Sequence, residues 1–311
     1  MSIIPETHEA VGLEAVGGPL TSFQRPTLKP GRDQVLVRVL WTAGGAVTVW
    51  IVDFNLTNPE LPYVVGENIV GEVVVVGEGV TDLKPGDKIL SFSFPEEAYG
   101  KAAQEYSLLS KWNVGKLPSN ITPQEAATVP DNLVTAYFTL FDQLPLPATS
   151  LPATSPPAQA STPILVWGAG GSTGRYAIQL LHLAGYQKVL AVASSRHHEY
   201  LRTIGASATF DYNASDITQK ILDAAGGAVP LVFDTIADED NSLRLISQVV
   251  SDGSKVAYLL PVREGGHGAV HGVKWKPDGV AFPKGVELVA VATRLYQKAS
   301  PLHSSSVWQK S

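Results

Sequence analysis

Pro163-Ile164-Leu165-Val166-Trp167-Gly168-Ala169-Gly170-Gly171-Ser172-Thr173-Gly174 is the stretch that decides the architecture. Ile164 to Trp167 reads as a buried strand, the glycines break it, and Arg175 to Leu183 continues in a helical pattern. A strand turning through glycine into a helix is the form of a dinucleotide site. A diphosphate leaves water only where backbone N–H groups at a helix N-terminus replace its solvation. Side chains would block that approach, hence Gly168, Gly170, Gly171 and Gly174; Ser172 and Thr173 between them are read as cofactor-binding as well. A plain tight connection uses the same glycines, so the surrounding sequence has to discriminate.

Gly185 closes the helix, Val189 to Ala193 reads as a second buried strand, and Ser194-Ser195-Arg196 follows it directly. Ser194 stands 20 residues after Gly174, where the fingerprint of an NAD site places an acid, about 20 residues on, for the ribose hydroxyls. Ser194, Ser195 and Arg196 offer hydroxyls and a guanidinium instead, which suit a 2′-phosphate that a carboxylate would repel. The cofactor expected is NADPH rather than NADH; a surface loop with a solvated arginine is the competing reading.

The same alternation continues. Thr209-Phe210, Leu231 to Asp234 and Lys255 to Leu260 read as further strands with helices between them, including Ile217 to Ala224 behind Ser215 or Asp216. A βαβ series of this kind predicts an α/β fold with a doubly wound parallel sheet. Ligands bind such sheets outside the C-terminal strand ends, which here carry Gly168 to Gly171, Ser194 to Arg196, Asp234 to Ile236 and Leu259 to Pro261. Asp234 is read on that ground as a cofactor-side residue.

The first 130 residues are of another kind. Gln34 to Trp41 alternates as a strand, Ile69 to Val76 is β-branched, and Asp87 to Phe94 follows the turn Lys84-Pro85-Gly86-Asp87. Short strands between Gly and Pro turns predict a small barrel-like domain. Thr122-Pro123-Gln124-Glu125 announces a helix, and Asp131 to Phe141 reads as another, with Val134, Tyr137, Phe138 and Phe141 on one face. Leu144 to Pro163 is rich in Pro, Ala, Ser and Thr and repeats Leu-Pro-Ala-Thr-Ser; it is expected to be a weakly ordered surface insertion.

At 311 residues, with 44% hydrophobic and 17% charged residues, the chain suits a two-domain enzyme with a large core. A net charge of −6 without a basic run speaks against nucleic acid, whose phosphates it would repel. The longest uncharged apolar stretch, Val39 to Val52, falls short of the roughly 20 residues a membrane span needs. The first ten residues hold Glu6 and Glu9 with no secretory pattern, so a cytoplasmic location and no membrane partner are expected. Without a cysteine there is no disulfide and no thiolate metal ligand. The seven histidines lack ligand spacing; His267 and His271, among glycines, could be loop ligands but read as solvated, and no metal is expected.

The ordered set Gly66-Glu67, Gly71-Glu72-Val73, Leu83-Lys84-Pro85-Gly86-Asp87-Lys88, Thr135-Ala136-Tyr137, Val166-Trp167-Gly168 to Gly174 and Tyr176-Ala177-Ile178-Gln179-Leu180 resembles the medium-chain dehydrogenase/reductase superfamily over roughly residues 10 to 265. It is most similar to the zinc-free branch of quinone reductases and fungal trans-acting enoyl reductases. The resemblance implies a GroES-like β-rich substrate domain over 1–130, a Rossmann domain over 131–270 carrying the Pro-rich insertion, and a tail over 271–311 read as a shortened return to the first domain. It also implies NADPH-dependent reduction of an activated double bond or quinone, with the cofactor between the domains. Thr135 then falls on the nicotinamide side, Tyr212 against the adenine, and Leu259 and Leu260 along the nicotinamide; each is also accounted for by ordinary packing. Tyr63 or Tyr137 is the candidate proton or hydrogen-bond donor, each more readily explained as a packed ring with its hydroxyl satisfied. The family's Asn-Pro-x-Asp segment is replaced here by Ala43-Gly44-Gly45-Ala46-Val47-Thr48, which alters the substrate side. A homodimer, common in the superfamily, and a place beside a larger synthase, as a cofactor-binding partner with little or no turnover, are the partner expectations.

Overall fold

The computed structural model describes residues 3–56, 58–93, 99–144, 146–147, 150–264 and 272–293. His267, His271 and the tail from Ser300 lie outside the described residues. The chain divides into two compact units, with the boundary between Val134 and Thr135 and the second unit running to Thr293.

The first unit is antiparallel. Its strands are β1 (Thr7–Leu13), β2 (Leu20–Pro26), β3 (Gln34–Ala43), β4 (Tyr63–Val64), β5 (Asn68–Val76), β6 (Lys88–Phe92), β7 (Tyr106–Ser110) and β8 (Val114–Lys116). They form a three-stranded sheet of order β2-β1-β4 and a five-stranded sheet of order β7-β3-β5-β6-β8. Val35, Val37, Ile69, Val73, Ile89 and Leu109 are buried together at the centre, the inward set of an alternating pattern. Register shifts between Leu36 and Val37 and between Val39 and Trp41 bend β3, as bulges do where a small sheet curls toward closure. Helix α2 (Pro123–Ala126) begins at the expected capping box: Glu125 N–H donates to the Thr122 hydroxyl and the Glu125 carboxylate accepts from Thr122 N–H.

One helix was not legible. Ala46–Phe54 forms α1, although its β-branched residues favour a strand on propensity; tertiary packing of Ile51, Val47 and Val52 against Leu13, Tyr63 and Val65 overrides that preference. The helix expected from Asp131 to Phe141 is present but changes type before its end. Helix α3 (Pro130–Phe138) passes into a π-helical turn over Thr139–Gln143, which shifts the phase of the pattern. Phe138 and Leu140 are consequently buried, whereas Tyr137 and Phe141 are half-buried and meet edge to face at 4.9 Å.

In the second unit β9 (Ile164–Trp167), β10 (Val189–Val192), β11 (Ala208–Phe210), β12 (Leu231–Asp234), β13 (Lys255–Leu259) and β16 (Glu287–Val291) pair in parallel, in the order β11-β10-β9-β12-β13-β16. Between them run α4 (Ser172–Leu183), α5 (His198–Thr203), α6 (Ile217–Ala225), α7 (Ser242–Ile246) and a hairpin, β14 (Val262–Glu264) with β15 (Gly272–Lys274). In chain order this is the 3-2-1-4-5-6 arrangement of a Rossmann sheet, with the winding reversing between β9 and β12. All four residues of β9 and of β10 are buried, as in a sheet covered on both faces. The sheet extends beyond residue 270: β16 adds a sixth strand, whose strand pattern the flanking Pro283, Lys284 and Gly285 obscure in the sequence.

The Pro-rich insertion is anchored rather than loose. Ala153 N–H donates to Leu183 O at 2.7 Å, closing off a carbonyl at the end of α4, and Gln187 N–H donates to Ala160 O at 2.8 Å. Leu146 and Ala160 are buried and the Tyr186 hydroxyl donates to Pro147 O. The composition is poor in apolar residues, but a few well-placed ones and backbone hydrogen bonds suffice to fix a segment whose ends the sheet already holds.

Candidate functional site

The turn after β9 is built from bare backbone. Gly168 has φ of +78°, and a Cβ there would run into the Thr235 hydroxyl and stand 2.7 Å from Ile236 Cγ1. Gly174 packs α4 onto the turn: a Cβ would lie 2.6 Å from Gly168 O and 2.7 Å from Ala169 Cα. Gly171 is the N-cap of α4 and makes no side-chain cap, so the first N–H groups of the helix face outward from a turn without side chains. Ser172 is exposed and Thr173 half-buried at the first helical turn. A diphosphate fits such a cradle, and it sits at the C-terminal strand ends beside the reversal between β9 and β12.

Ser194 to Arg196 lie where the sequence placed them, at the end of β10, with Ser195–His197 forming a short 3-10 turn. Ser195 N–H donates to Asp211 Oδ2 at 3.1 Å, and Asn213 N–H donates to Asp211 Oδ1 at 2.9 Å. The Asn213 amide and then Ser195 hold the Asp211 carboxyl below the ordinary range, so it is ionised. An acid therefore does stand beside this turn, carried by the residue after β11 and not by the one after β10. Arg196 is exposed and Tyr212 is half-buried against the sheet core.

Two residues that the sequence reading did not single out join this end. The Arg175 guanidinium approaches His197 Nδ1 at 3.4 Å, while Arg196 Nε approaches His197 Nε2 at 3.2 Å. Arg175 Cζ also stands 5.2 Å from the centre of the Tyr200 ring. The position of Arg175, one residue past the last glycine of the turn, was the available signal.

Thr135 is buried, and its hydroxyl pairs with the Thr293 hydroxyl at 2.9 Å. Leu259 and Leu260 are both half-buried at the end of β13. Asp234 is fully buried: Oδ2 accepts from the Ser242 hydroxyl at 2.7 Å and Oδ1 from Ile236 N–H at 2.9 Å. Burial pushes this carboxyl up to about 6 against those hydrogen bonds. Its place is a correction to the sequence reading, because it braces the loop after β12 from within the core and is not presented to a ligand.

In the first unit Tyr63 is buried, and its hydroxyl stands near the Glu67 carboxylate without well-formed hydrogen-bond geometry. Burial, and then the neighbouring Glu67 charge, raise the phenol well above its ordinary range. Glu67 itself pairs with Lys101 at 3.3 Å and accepts from the Thr48 hydroxyl at 2.9 Å. Burial lowers the Lys101 ammonium, with Glu67 opposing. The segment 43–48 that replaces the family's motif thus leads into α1 and supplies Thr48 to a buried polar cluster. Tyr137, the other candidate donor, is half-buried on α3. Among the described residues no group of His, Asp or Glu has metal-ligand geometry, and no helix is long and apolar enough to cross a membrane.

Residues 31–136 match the alcohol dehydrogenase GroES-like domain and residues 173–260 match the family described as zinc-binding dehydrogenase. The dehydrogenase pigH of Monascus ruber is 34% identical over 237 residues, covering 71% of this chain and 62% of its own length. The trans-enoyl reductase tazE of Aspergillus terreus is 33% identical over 225 residues, covering 70% of this chain and 72% of its own. Among solved structures, an alcohol dehydrogenase superfamily protein from Novosphingobium aromaticivorans superposes with a TM-score of 0.75 at 22% identity, covering 97% of this chain and 84% of the other.

Proposed function

Because the chain belongs to the medium-chain dehydrogenase/reductase superfamily, we propose that it is an NADPH-dependent oxidoreductase that reduces an activated C=C bond, in an enone or enoyl thioester, or a quinone, without zinc. The observation that carries this reading is the bare turn from Gly168 to Gly174 at the reversal point of the sheet, with the guanidinium groups of Arg175 and Arg196 gathered at the neighbouring strand end. The similarity to tazE, named as a trans-enoyl reductase, favours a carbon–carbon double bond among the substrates.

The nicotinamide supplies hydride to the electron-poor carbon when bound; the protein's share is to hold and orient it. The N–H groups at the start of α4 take the diphosphate, and Ser194, Ser195 and Arg196 take the ribose phosphate. Thr135, Leu259 and Leu260 shape the nicotinamide side, and Tyr212 the adenine side. Negative charge then develops on the substrate oxygen, and hydrogen-bond donors have to meet it. Of the two tyrosines, Tyr137 is the proposed donor, since the Tyr63 hydroxyl is buried inside its own unit.

The test is nicotinamide absorbance on mixing the protein and NADPH with a panel of enones, enoyl thioesters and quinones. Oxidation with at least one of them supports the proposal. Tight NADPH binding with no oxidation across the panel would instead favour a cofactor-binding or partner-binding protein without turnover.

A further inference from the structure

Gly170 lies under the His197 ring so closely that a Cβ would stand 2.7 Å from Cδ2. Two guanidinium groups meet that ring from opposite nitrogens, Arg175 at Nδ1 and Arg196 at Nε2. A neutral imidazole has one nitrogen lone pair, so only one of these approaches can be a hydrogen bond and the other sets donor against donor. Arg175 Nε is moreover buried with no hydrogen-bond partner among the described residues. Two like charges and a surplus of donors converge on one spot, with Arg175 Nε buried among them, an arrangement that an anion would complete. The nearby acid, Asp211, is already engaged by the Ser195 and Asn213 amides, and one carboxylate against two guanidinium groups leaves the spot positive.

We propose that Arg175 and His197 complete, with Arg196, a subsite for the doubly charged phosphomonoester on the cofactor's adenosine ribose, and that His197 takes up a proton as that group binds. This rests on the NADPH reading above and names the residues and the regulation of that site. His197 is the sensor by position, since it touches both guanidinium groups and the bare Gly170 backbone. The groups facing it are Arg175 from α4 and Arg196 and His198 from its own segment, with Tyr200 on α5 behind Arg175; Asp211 after β11 is turned to the Ser195 and Asn213 amides. Burial first, then the charges of Arg175, Arg196 and His198, keep the free ring below its ordinary range and therefore neutral at pH 7. A dianion favours the charged ring, so binding draws in a proton. The preference for NADPH over NADH must then weaken as pH rises and the bound ring loses that proton.

Calorimetry on the full chain with NADPH, NADH and adenosine 2′,5′-bisphosphate tests this. Arg175→Ala and His197→Asn should each weaken NADPH and the bisphosphate by roughly tenfold or more, as loss of a charge-assisted contact does, and change NADH by less than about threefold. Arg175→Lys, which keeps the charge but not the fork, should fall between and guards against misfolding of the alanine variant. His197→Asn should also flatten the pH dependence of the NADPH-to-NADH ratio. A wild-type preference for NADPH that survives all three substitutions would overturn the subsite while leaving the cofactor reading intact. A wild type with no such preference would overturn both.

Discussion

Lys101 Nζ lies 3.3 Å from Glu67 Oε1, and both side chains are 1% exposed. An ion pair this buried gains little net stability over an apolar pair, but removing one member strands a charge. Glu67→Gln or Lys101→Met should each cost about 3–5 kcal/mol, read as a lowered denaturant midpoint, whereas the double variant Glu67→Leu with Lys101→Met should recover most of that loss. Singles that change the midpoint little would show that the pair is hydrated in solution.

Tyr63 sits against the same pair, with its ring centre 5.0 Å from Lys101 Nζ. Its hydroxyl is buried and meets the Glu67 carboxylate without good hydrogen-bond geometry, so Tyr63→Phe removes a poorly satisfied polar group. Stability should be unchanged or higher by up to about 1 kcal/mol, and turnover should be retained. A turnover loss of two or more orders of magnitude, the size expected for a general acid, would restore Tyr63 as the proton donor over Tyr137.

Asp234 provides a pH signature. Its carboxyl rises from an ordinary 3.8 to about 6 in the folded protein. Between those values the folded state keeps a proton that the unfolded chain has released, so the stabilisation is complete below the lower value and is lost as pH rises through the upper one. The size is about 3 kcal/mol, at roughly 1.4 kcal/mol for each tenfold gain in proton affinity. Asp234→Asn, which can still accept from the Ser242 hydroxyl, should flatten the stability profile across this interval; an unaltered profile would show that another group is responsible.

Much of the second unit was legible because its local signals agree with its topology. Ile164–Trp167 and Leu231–Asp234 fall where the apolar runs ended, since a strand buried on both faces needs no alternation and is bounded by its turn residues. The glycines were readable for the same reason: Gly168 and Gly174 leave no room for a side chain. What the sequence hid depends on distant partners. Helix α1 forms from β-branched residues because Leu13 and Tyr63 pack on it, and β16 is recruited by β13 from a segment with little pattern of its own. At the candidate site, Arg175 and His197 are 22 positions apart and meet only when α4 and the turn after β10 are side by side. Asp211 likewise reaches Ser195 from a neighbouring strand end, so a search 20 residues beyond the glycines could not register its charge.

The turn itself can be probed by bulk. Gly174→Val places side-chain atoms against Gly168 O and Ala169 Cα, 2.6 and 2.7 Å from where a Cβ would begin. It should abolish binding of NADPH and NADH alike, in contrast to Arg196→Ala, which should weaken NADPH by about 1–3 kcal/mol more than NADH. Equal losses for both coenzymes on Arg196→Ala would remove that residue from phosphate recognition.

Calorimetric titration of the folded, unmodified chain with NADPH and, separately, NADH is the most direct measure of the whole account. It should find one site per chain that binds NADPH more tightly than NADH by at least about tenfold. No heat with either coenzyme, or NADH bound as tightly as NADPH, would contradict it.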